Sequence, residues 1–192
     1  MGSEYELKYR ADQESLRSIF TTFPARWQTI SMETTYYDTP SHSLSRRRWT
    51  LRRRMENNVS VCTLKTPGIG PERGEWEVNC DSIEEAIAEL CKLSGCRELA
   101  DLCKEGLIVA CGARFTRRAA TFTLRDSVME LALDEGVLLG GGREIPLCEL
   151  EVEHKGGSRE EMERFAAELA SLYNLQAEEK SKFARALELC EE

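Results

Sequence analysis

The chain has 192 residues, 41% of them hydrophobic, and its 34 acidic against 26 basic side chains give a formal net charge of −8. This length suits one domain or two small ones and can bury a sizeable core without disulfide or metal staples. The acidic balance excludes general binding to nucleic acid or to a membrane surface as a default function. One segment departs from it: six of the nine residues from Arg46 to Arg54 are arginine, which indicates a local need for positive charge.

Targeting signals and cysteines point to an ordinary intracellular protein. The N-terminus lacks the apolar stretch of a signal peptide, and no later run approaches the roughly 18 apolar residues of a membrane span. We therefore expect a soluble, cytoplasmic protein with no membrane partner. The eight cysteines contain no Cys-x-x-Cys pair and are spread through apolar stretches. We interpret them as small buried hydrophobic side chains rather than as metal ligands.

The first half of the chain is predicted to consist mainly of strands. Residues 4–10 alternate with period two, and a helix follows, capped by Asp12 and ended by Pro24. Turn-forming residues at 38–40, 57–58 and 67–71 then separate β-branched and aromatic runs. These runs predict four further strands, at 29–38, 49–55, 59–66 and 74–78.

The second half mixes helices and strands. Ser82 with Glu85, and Ser158 with Glu161, form capping boxes that begin two helices. A short helical piece is predicted at 98–104 and a final helix at 178–189, with a flexible glycine turn at 140–142. Strands are predicted at 107–115, 121–125, 129–134 and 146–154. The whole chain, 1–192, is thus interpreted as a single α+β domain, a closed barrel or strongly curved sheet of eight or nine antiparallel strands with helices packed around it.

The strands carry their most regular pattern on a charged face. Side chains at every second position point to the same side of a strand. The charged positions that alternate in this way are Glu4, Glu6 and Lys8, then Arg52 and Arg54, then Glu75 and Glu77, and finally Glu149, Glu151 and Glu153. Solvated outer faces would explain any one row alone. Arginines and glutamates come from different strands, however, and in a closed sheet these side chains would meet inside.

A charged barrel interior has a chemical consequence. Burying many ions without partners costs several kcal/mol each, so the interior is expected to be water-filled and to bind a ligand. Carboxylates are hard oxygen ligands suited to Mg²⁺ or Mn²⁺, while arginine and lysine match phosphate oxygens. A site with both elements predicts a polyphosphate bound together with a divalent metal.

Several motifs in order along the chain resemble the CYTH superfamily, the triphosphate tunnel metalloenzymes. Glu4-x-Glu6-x-Lys8 resembles its ExExK signature, and similar stretches continue to about residue 187. They are Tyr36-Tyr37-Asp38-Thr39-Pro40, Leu51-Arg52-Arg53-Arg54, Leu64-Lys65, Arg73-x-Glu75, Arg117, Leu131-Ala132-Leu133-Asp134, Cys148-Glu149-Leu150-Glu151 and Ser181-Lys182-x-x-Arg185. The resemblance is greatest to the CYTH part of bacterial inorganic triphosphatases. It implies an eight-stranded antiparallel tunnel and metal-dependent hydrolysis of a triphosphate.

The resemblance also implies roles for individual residues. The metal-facing carboxylates would be Glu4, Glu6, Asp134, Glu149 and Glu151. The phosphate-facing cations would be Lys8, Arg52, Arg54, Lys65, Arg117, Lys182 and Arg185. Glu75, Glu77 and Glu153 would be further acidic positions on the tunnel wall. Arg118 has the opposite parity to Arg117, so a one-residue error in register would exchange the two.

The implied reaction is the in-line attack of a metal-bound water on a terminal phosphorus, with the basic wall spreading the developing charge. Glu6 and Glu149 are the expected catalytic carboxylates. Lys8, together with Tyr37 of the tyrosine pair, is the candidate for positioning or deprotonating the water. Mg²⁺ and Mn²⁺ both stay open as the cofactor.

Other substrates share such a tunnel. Class IV adenylyl cyclases carry a His-Phe pair shortly before the ExExK strand, where this chain has Met-Gly-Ser. An organic triphosphate such as thiamine triphosphate would need an aromatic pocket, whereas Trp27, Trp49 and Trp76 are expected to pack in the core or at the rim. A non-catalytic polyphosphate- or nucleotide-binding module is the alternative of another class. The favoured partner is a small inorganic triphosphate, with no nucleic acid and no CHAD domain within these 192 residues.

Overall fold

Eight antiparallel strands form one continuous sheet that closes on itself. The structure, a computed structural model, describes residues 2–69 and 72–190, so Gly70 and Pro71 of the predicted 67–71 turn lie outside the described residues. The strands are β1 (Gly2–Arg10), β2 (Gln28–Asp38), β3 (Thr50–Glu56), β4 (Val59–Pro67), β5 (Glu72–Asn79), β6 (Ile108–Leu124), β7 (Ser127–Gly140) and β8 (Arg143–Gly157). Their order is β5-β4-β3-β2-β6-β7-β8-β1, and pairing of β1 with β5 closes the barrel. The predicted eight-stranded closed barrel is confirmed.

Six helices pack around this barrel. They are α1 (Gln13–Thr22), α2 (Ser43–Arg46), α3 (Ile83–Ser94), α4 (Glu98–Leu102), α5 (Arg159–Leu172) and α6 (Lys182–Glu188). A two-residue strand, β9 (Gln176–Ala177), adds to the free side of β1. Among the described residues, no helix combines the length and the apolar character needed to cross a membrane.

The predicted caps are present. The backbone N–H of Ser15 donates to the Asp12 carboxylate at 2.7 Å, and Ser82 and Ser158 accept from the N–H groups of Glu85 and Glu161. Each bond satisfies one of the donors that a helix leaves unpaired at its start. The helices therefore begin where the sequence predicts, apart from α6 and the unpredicted α2.

Two apolar clusters attach helices to the outside of the barrel. One places Leu16 of α1 and Phe165 of α5 against Leu131 and Leu150, and the other places Leu90 of α3 against Leu64. These strand residues alternate with the charged positions, so the apolar side of each strand faces outward to the helices. The charged rows consequently face the barrel interior, as the parity of the sequence predicts.

A third apolar cluster lies inside one end of the barrel. Phe183, Ala186 and Leu189 of the α6 region pack there against inward side chains such as Tyr36 and Leu138. Gly140 allows this close approach, because a Cβ atom at that position would lie 2.1 Å from the Ala186 carbonyl oxygen. Helix α6 thus closes this end of the tunnel.

Several predicted boundaries are wrong. The segments 107–115 and 121–125 form one strand, β6, because residues 116–119 pair on both sides with β2 and β7, despite their polar and small side chains, and Ala120 continues the pairing with β7. Strands β7 and β8 run to a tight turn at Gly141–Gly142, whose φ angles of 57° and 74° suit glycine. The 98–104 piece ends as a 3₁₀ turn at Cys103–Glu105. The last helix begins at Lys182 because Ser181 caps it.

The cysteines only partly match the expectation. Cys62 and Cys111 are buried, five others are partly buried, and Cys190 is exposed beyond the end of α6. All eight are free thiols. Cys190 is the exception because the chain beyond the C-terminal end of α6 lies at the surface.

Candidate active site

The barrel interior holds a charged cavity of about 370 Å³. Cationic side chains reach it from six of the strands and from α6, with three of them on β3 and β4, whereas the carboxylates reach it from β1, β5, β7 and β8. The charged lining residues are Glu4, Glu6, Lys8, Arg52, Arg54, Lys65, Arg73, Glu75, Glu77, Arg117, Glu130, Glu151, Glu153, Lys155 and Lys182. Along each strand of a closed barrel, side chains point alternately inward and outward, so every second residue of each strand faces the cavity.

One side of the cavity is a basic wall formed by Arg52, Arg54 and Lys65. Lys65 Nζ lies 2.7 and 2.8 Å from the two carboxylate oxygens of Glu4 and 3.2 Å from Glu75. Arg52 approaches the Glu75 carboxylate no closer than 3.4 Å. Its buried Nε has no hydrogen-bond partner among the described residues. A buried, unpaired guanidinium nitrogen is costly. The wall therefore has binding capacity for an anion.

The opposite side is an acidic row formed by Glu6, Glu130 and Glu153. Glu153 is the direct cross-strand neighbour of Glu6 on β1 and of Glu130 on β7. Among the described residues, the nearest cationic atoms to the Glu6 carboxylate are Lys8 Nζ at 3.5 Å and an Arg73 nitrogen at 3.9 Å. Like charges opposite one another on neighbouring strands repel. The row therefore has a deficit of positive charge.

The electrostatics of Glu153 agree with this deficit. Burial raises the pKa of its carboxyl group, and the nearby carboxylates of Glu4 and Glu130 raise it further. Lys155, whose Nζ lies 2.7 Å from Glu153, opposes this shift without cancelling it. A divalent cation is the group that would relieve such repulsion.

At the closed end, three carboxylates and three cations form an inner cage. Its members are Asp134, Glu149, Glu151, Arg117, Lys182 and Arg185. Arg117 makes a two-bond fork to Asp134, with distances of 2.8 and 2.7 Å, and also donates to Glu151. Lys182 Nζ contacts Asp134 at 2.8 Å, Glu151 at 2.6 Å and Glu149. Arg185 donates to the second oxygen of Glu149.

The cage shifts the pKa values of its members strongly. Burial opposes charge on Lys182 and Arg117, yet the surrounding carboxylates outweigh it and hold both pKa values well above their ordinary range. Burial likewise disfavours charge on Glu151, but Lys182 and Arg117 hold its pKa well below the usual value. For Glu149, burial raises the pKa to about 7, against the opposing effect of Lys182. These groups act as one coupled unit.

The cage carboxylates have the spacing of a metal site. One oxygen each from Asp134, Glu149 and Glu151 lies within 4.8 Å of the others, so these residues could hold an ion. In the structure, however, each of them is bonded to lysine or arginine. Asp134 and Glu149 are fully buried and, with Arg185, are not among the residues that line the cavity.

The other predicted site residues are placed as follows. Lys8, Arg52, Arg54, Lys65, Glu4, Glu6, Glu75, Glu77 and Glu153 all face the cavity. Tyr37 does not, because it packs outside the barrel in the cluster beneath α3, while Tyr36 lines the cavity. Arg117 faces inward and Arg118 outward, where it contacts Glu135 and the Phe20 ring. The parity argument thus assigned this arginine pair correctly.

Sequence reasoning missed several lining residues. Glu130 shares its strand face with Asp134, and Lys155 shares one with Glu153, so strand parity could have identified both. Lys155 was lost because the predicted strand ended at residue 154, whereas β8 continues to Gly157. Arg73 lay in a recognised motif without an assigned role. Trp27, Trp49 and Trp76 pack in the outer clusters, as expected.

Comparison with known proteins agrees with this architecture. Residues 2–187 match the CYTH domain. The chain is 29% identical over 144 residues to an inorganic triphosphatase of Haemophilus influenzae, which covers 74% of this chain and 41% of that protein. The chain thus spans about two fifths of the length of this relative.

Two solved structures share the fold. HpAC1 of Hippeastrum, a candidate adenylyl cyclase with a dominant triphosphatase activity, superposes with a TM-score of 0.65 at 16% identity, covering 96% of this chain and 94% of that one. A candidate adenylate cyclase of Bacillus halodurans gives a TM-score of 0.64 at 16% identity, covering 96% and 98%. Since the family match extends over almost the whole chain, this protein belongs to the CYTH family.

Proposed function

We propose that this chain hydrolyses inorganic triphosphate to pyrophosphate and phosphate in a metal-dependent reaction inside the barrel. The observation that carries the proposal is the pairing of two walls across one cavity: a basic wall with unused hydrogen-bonding capacity and an acidic row short of positive charge. A triphosphate bound with a divalent ion supplies the charge that each wall lacks. The similarity to the Haemophilus influenzae triphosphatase supports this choice of substrate class.

The donor set fits a divalent metal ion at the acidic row. Glu6, Glu130 and Glu153 present hard oxygen atoms to the cavity, and the contacts of Glu6 with cations are long enough to leave its carboxylate free to bind. These three residues would hold Mg²⁺ or Mn²⁺. When bound, such an ion would polarise phosphate oxygens and lower the pKa of a coordinated water.

The protein's own groups would bind and orient the substrate. Arg52, Arg54 and Lys65 bind the phosphate oxygens, and their fixed positive charges stabilise the charge that develops on them. Lys8 lies between the acidic row and the cage, with Glu151 as its cross-strand neighbour. Its ammonium group would orient the attacking water and hold its oxygen in line with the terminal phosphorus.

The aromatic lining favours a substrate without an organic group. Tyr36, Phe115 and Phe183 reach the cavity at its closed end. The Phe115 ring is already covered by Arg117 and Lys182, at 5.8 and 5.4 Å from its centroid, and Tyr36 packs on Phe183 at 5.1 Å. These rings therefore have little free surface for stacking a thiazole or a base.

The test is phosphate release from tripolyphosphate, thiamine triphosphate and ATP, each with Mg²⁺ and with Mn²⁺, together with an assay for cyclic AMP. We expect tripolyphosphate to give the highest kcat/KM and no activity after the metal is chelated. Preference for thiamine triphosphate, or formation of cyclic AMP and pyrophosphate from ATP, would overturn the assignment. Tight tripolyphosphate binding without turnover would instead identify a binding module.

A further inference from the structure

We propose that the inner cage does not take a divalent metal ion: the ammonium group of Lys182 is its resident cation, and the cage fastens α6 across the end of the tunnel. This inference rests on the proposed function only in placing the metal at the acidic row. It assigns Asp134 and Glu149 a positioning role, although their residue types and spacing resemble a metal site.

The acceptor oxygens of the three cage carboxylates are all occupied. The two oxygens of Asp134 accept from Arg117 and Lys182, those of Glu149 from Lys182 and Arg185, and those of Glu151 from Lys182 and Arg117. All six carboxylate oxygens therefore already have a cationic donor. A metal ion could bind only by displacing one of these donors.

The ammonium group of Lys182 is itself fully bonded within the cage. An ammonium group has three N–H donors, and Lys182 Nζ contacts three oxygens, one on each cage carboxylate. Its donors are fully used, so Lys182 has none left for a phosphate oxygen. With Arg117 and Arg185, it also gives the cage one cation for each carboxylate. A divalent ion would add two further positive charges to a cluster that already has as many cations as carboxyl groups.

An ion in the cavity has no direct access to Asp134 and Glu149. Asp134 and Glu149 have no exposed surface, and the cavity ends at Glu151, Arg117 and Lys182 in front of them. An ion arriving through the cavity meets the cationic groups first. Asp134 and Glu149 can thus influence the reaction only by holding Lys182 and Arg117 in position.

The cage also explains how a short helix stays in place. The seven residues of α6 bury Phe183 and Ala186 inside the barrel, and Lys182 at its first turn is bonded to β7 and β8. Buried groups that are fully paired are costly to separate, because each leaves an uncompensated charge. Removing the Lys182 charge should therefore loosen α6.

Counting bound Mn²⁺ on the full chain, by the electron paramagnetic resonance signal of the free ion and without substrate, tests the proposal. We compare the wild type with Glu6→Gln and with the double variant Lys182→Met/Asp134→Asn, which removes one charge of each sign. We expect the double variant to bind the same number of ions, with a Kd within about threefold of wild type. Glu6→Gln should weaken binding by roughly tenfold or more.

A gain of binding gives a second test. Lys182→Met alone leaves three carboxylates with two cations, so this variant should acquire one additional Mn²⁺ site and show faster chymotrypsin cleavage after Phe183. The matched control is Lys180→Ala, which removes an exposed lysine that pairs with Glu188 outside the cage. It should change neither measurement.

The outcomes separate this inference from the proposed function. Loss of one bound Mn²⁺ in the double variant, or no additional site in Lys182→Met, would overturn the inference. A wild type that binds no Mn²⁺ would contradict the metal-dependent function, while the gain in Lys182→Met would still support the cage assignment. Unchanged chymotrypsin cleavage in Lys182→Met would refute the fastening role.

Discussion

The inner cage and the open cavity are built from the same residue types on the same strands, yet their charges are arranged differently. In the cage, three carboxylates meet three cations and every carboxylate oxygen has a donor. In the cavity, Glu6 and Glu153 are cross-strand neighbours, and the cationic atoms of Lys8 and Arg73 lie 3.5 and 3.9 Å from the Glu6 carboxylate. Residue type alone therefore does not distinguish a structural ion cluster from a ligand site. The pairing of the carboxylate oxygens does.

The difference is reached by strand register. At the cage, Arg117 on β6 is the direct cross-strand neighbour of Asp134 on β7, which gives a pair of opposite charges. Asp134 is in turn the cross-strand neighbour of Glu149 on β8, which gives a pair of like charges. Four residues further along β8 than Glu149, the register instead places Glu153 between two other glutamates, Glu6 on β1 and Glu130 on β7. Repulsion there persists until a cation enters.

The largest expected effect is on stability at the cage. Asp134→Asn leaves Arg117 and Lys182 short of a buried counter-charge, and breaking a buried ion pair costs about 3–5 kcal/mol. The matched variant is Glu4→Gln, whose partner Lys65 lines the cavity and keeps a second carboxylate, Glu75, at 3.2 Å, so it should cost less than Asp134→Asn. Urea unfolding gives both free energies. Equal losses would show that the two regions do not differ in this way.

The sequence predicted the fold because its charge parity is unusually regular. Every second residue is charged in the series Glu4, Glu6 and Lys8 and in the β8 glutamates, so in a closed barrel whose apolar faces pack against helices these side chains must face the interior. The same alternation turns Arg117 inward and Arg118 outward. The continuity of β6 was not predictable from local propensity, because cross-strand pairing on both sides overrides the polar character of residues 116–119.

The division between cage and cavity could not be predicted. It depends on where α6 docks, and Lys182 lies 31 residues from Glu151 and 48 from Asp134 along the chain. The local pattern around Ser181 and Lys182 indicates a capped helix with a basic first turn and nothing about its contacts. Parity assigned the cage carboxylates to the interior correctly. Their partners are a consequence of tertiary packing.

The next largest effect is on activity at the acidic row. Glu6→Gln should lower tripolyphosphate hydrolysis by roughly 10²–10³-fold, the scale of removing one preorganised electrostatic group from an active site. The thermal midpoint should stay close to wild type, because the ion pairs of Glu6 with Lys8 and Arg73 are long, at 3.5 and 3.9 Å. Glu14→Gln, at an exposed position of α1, is the control. Wild-type activity in Glu6→Gln would exclude this carboxylate from catalysis.

A smaller effect is expected at the basic wall. Arg52→Ala removes a charged hydrogen-bond donor, worth about 1.5–3 kcal/mol, which corresponds to a kcat/KM reduced by roughly 10–100-fold. The neighbouring Arg53 has the opposite parity and lies outside the barrel near Tyr37. Arg53→Ala should therefore leave kcat/KM unchanged. Similar losses in both variants would contradict an interior phosphate wall.

The smallest effect is a pH dependence of stability that belongs to the cage. Burial raises the pKa of Glu149 from 4.5 to about 7, so the folded state binds a proton more tightly than the unfolded state. Stability from this proton is present below pH 4.5 and is lost as the pH rises to about 7. The depressed pKa of Glu151 acts only below pH 4.5, so it does not interfere. Relative to Glu149→Gln, the wild type should therefore lose thermal stability between pH 5 and 8. A constant difference between the two unfolding midpoints across this range would mean that Glu149 is already ionised at pH 5 and that its cationic partners outweigh its burial.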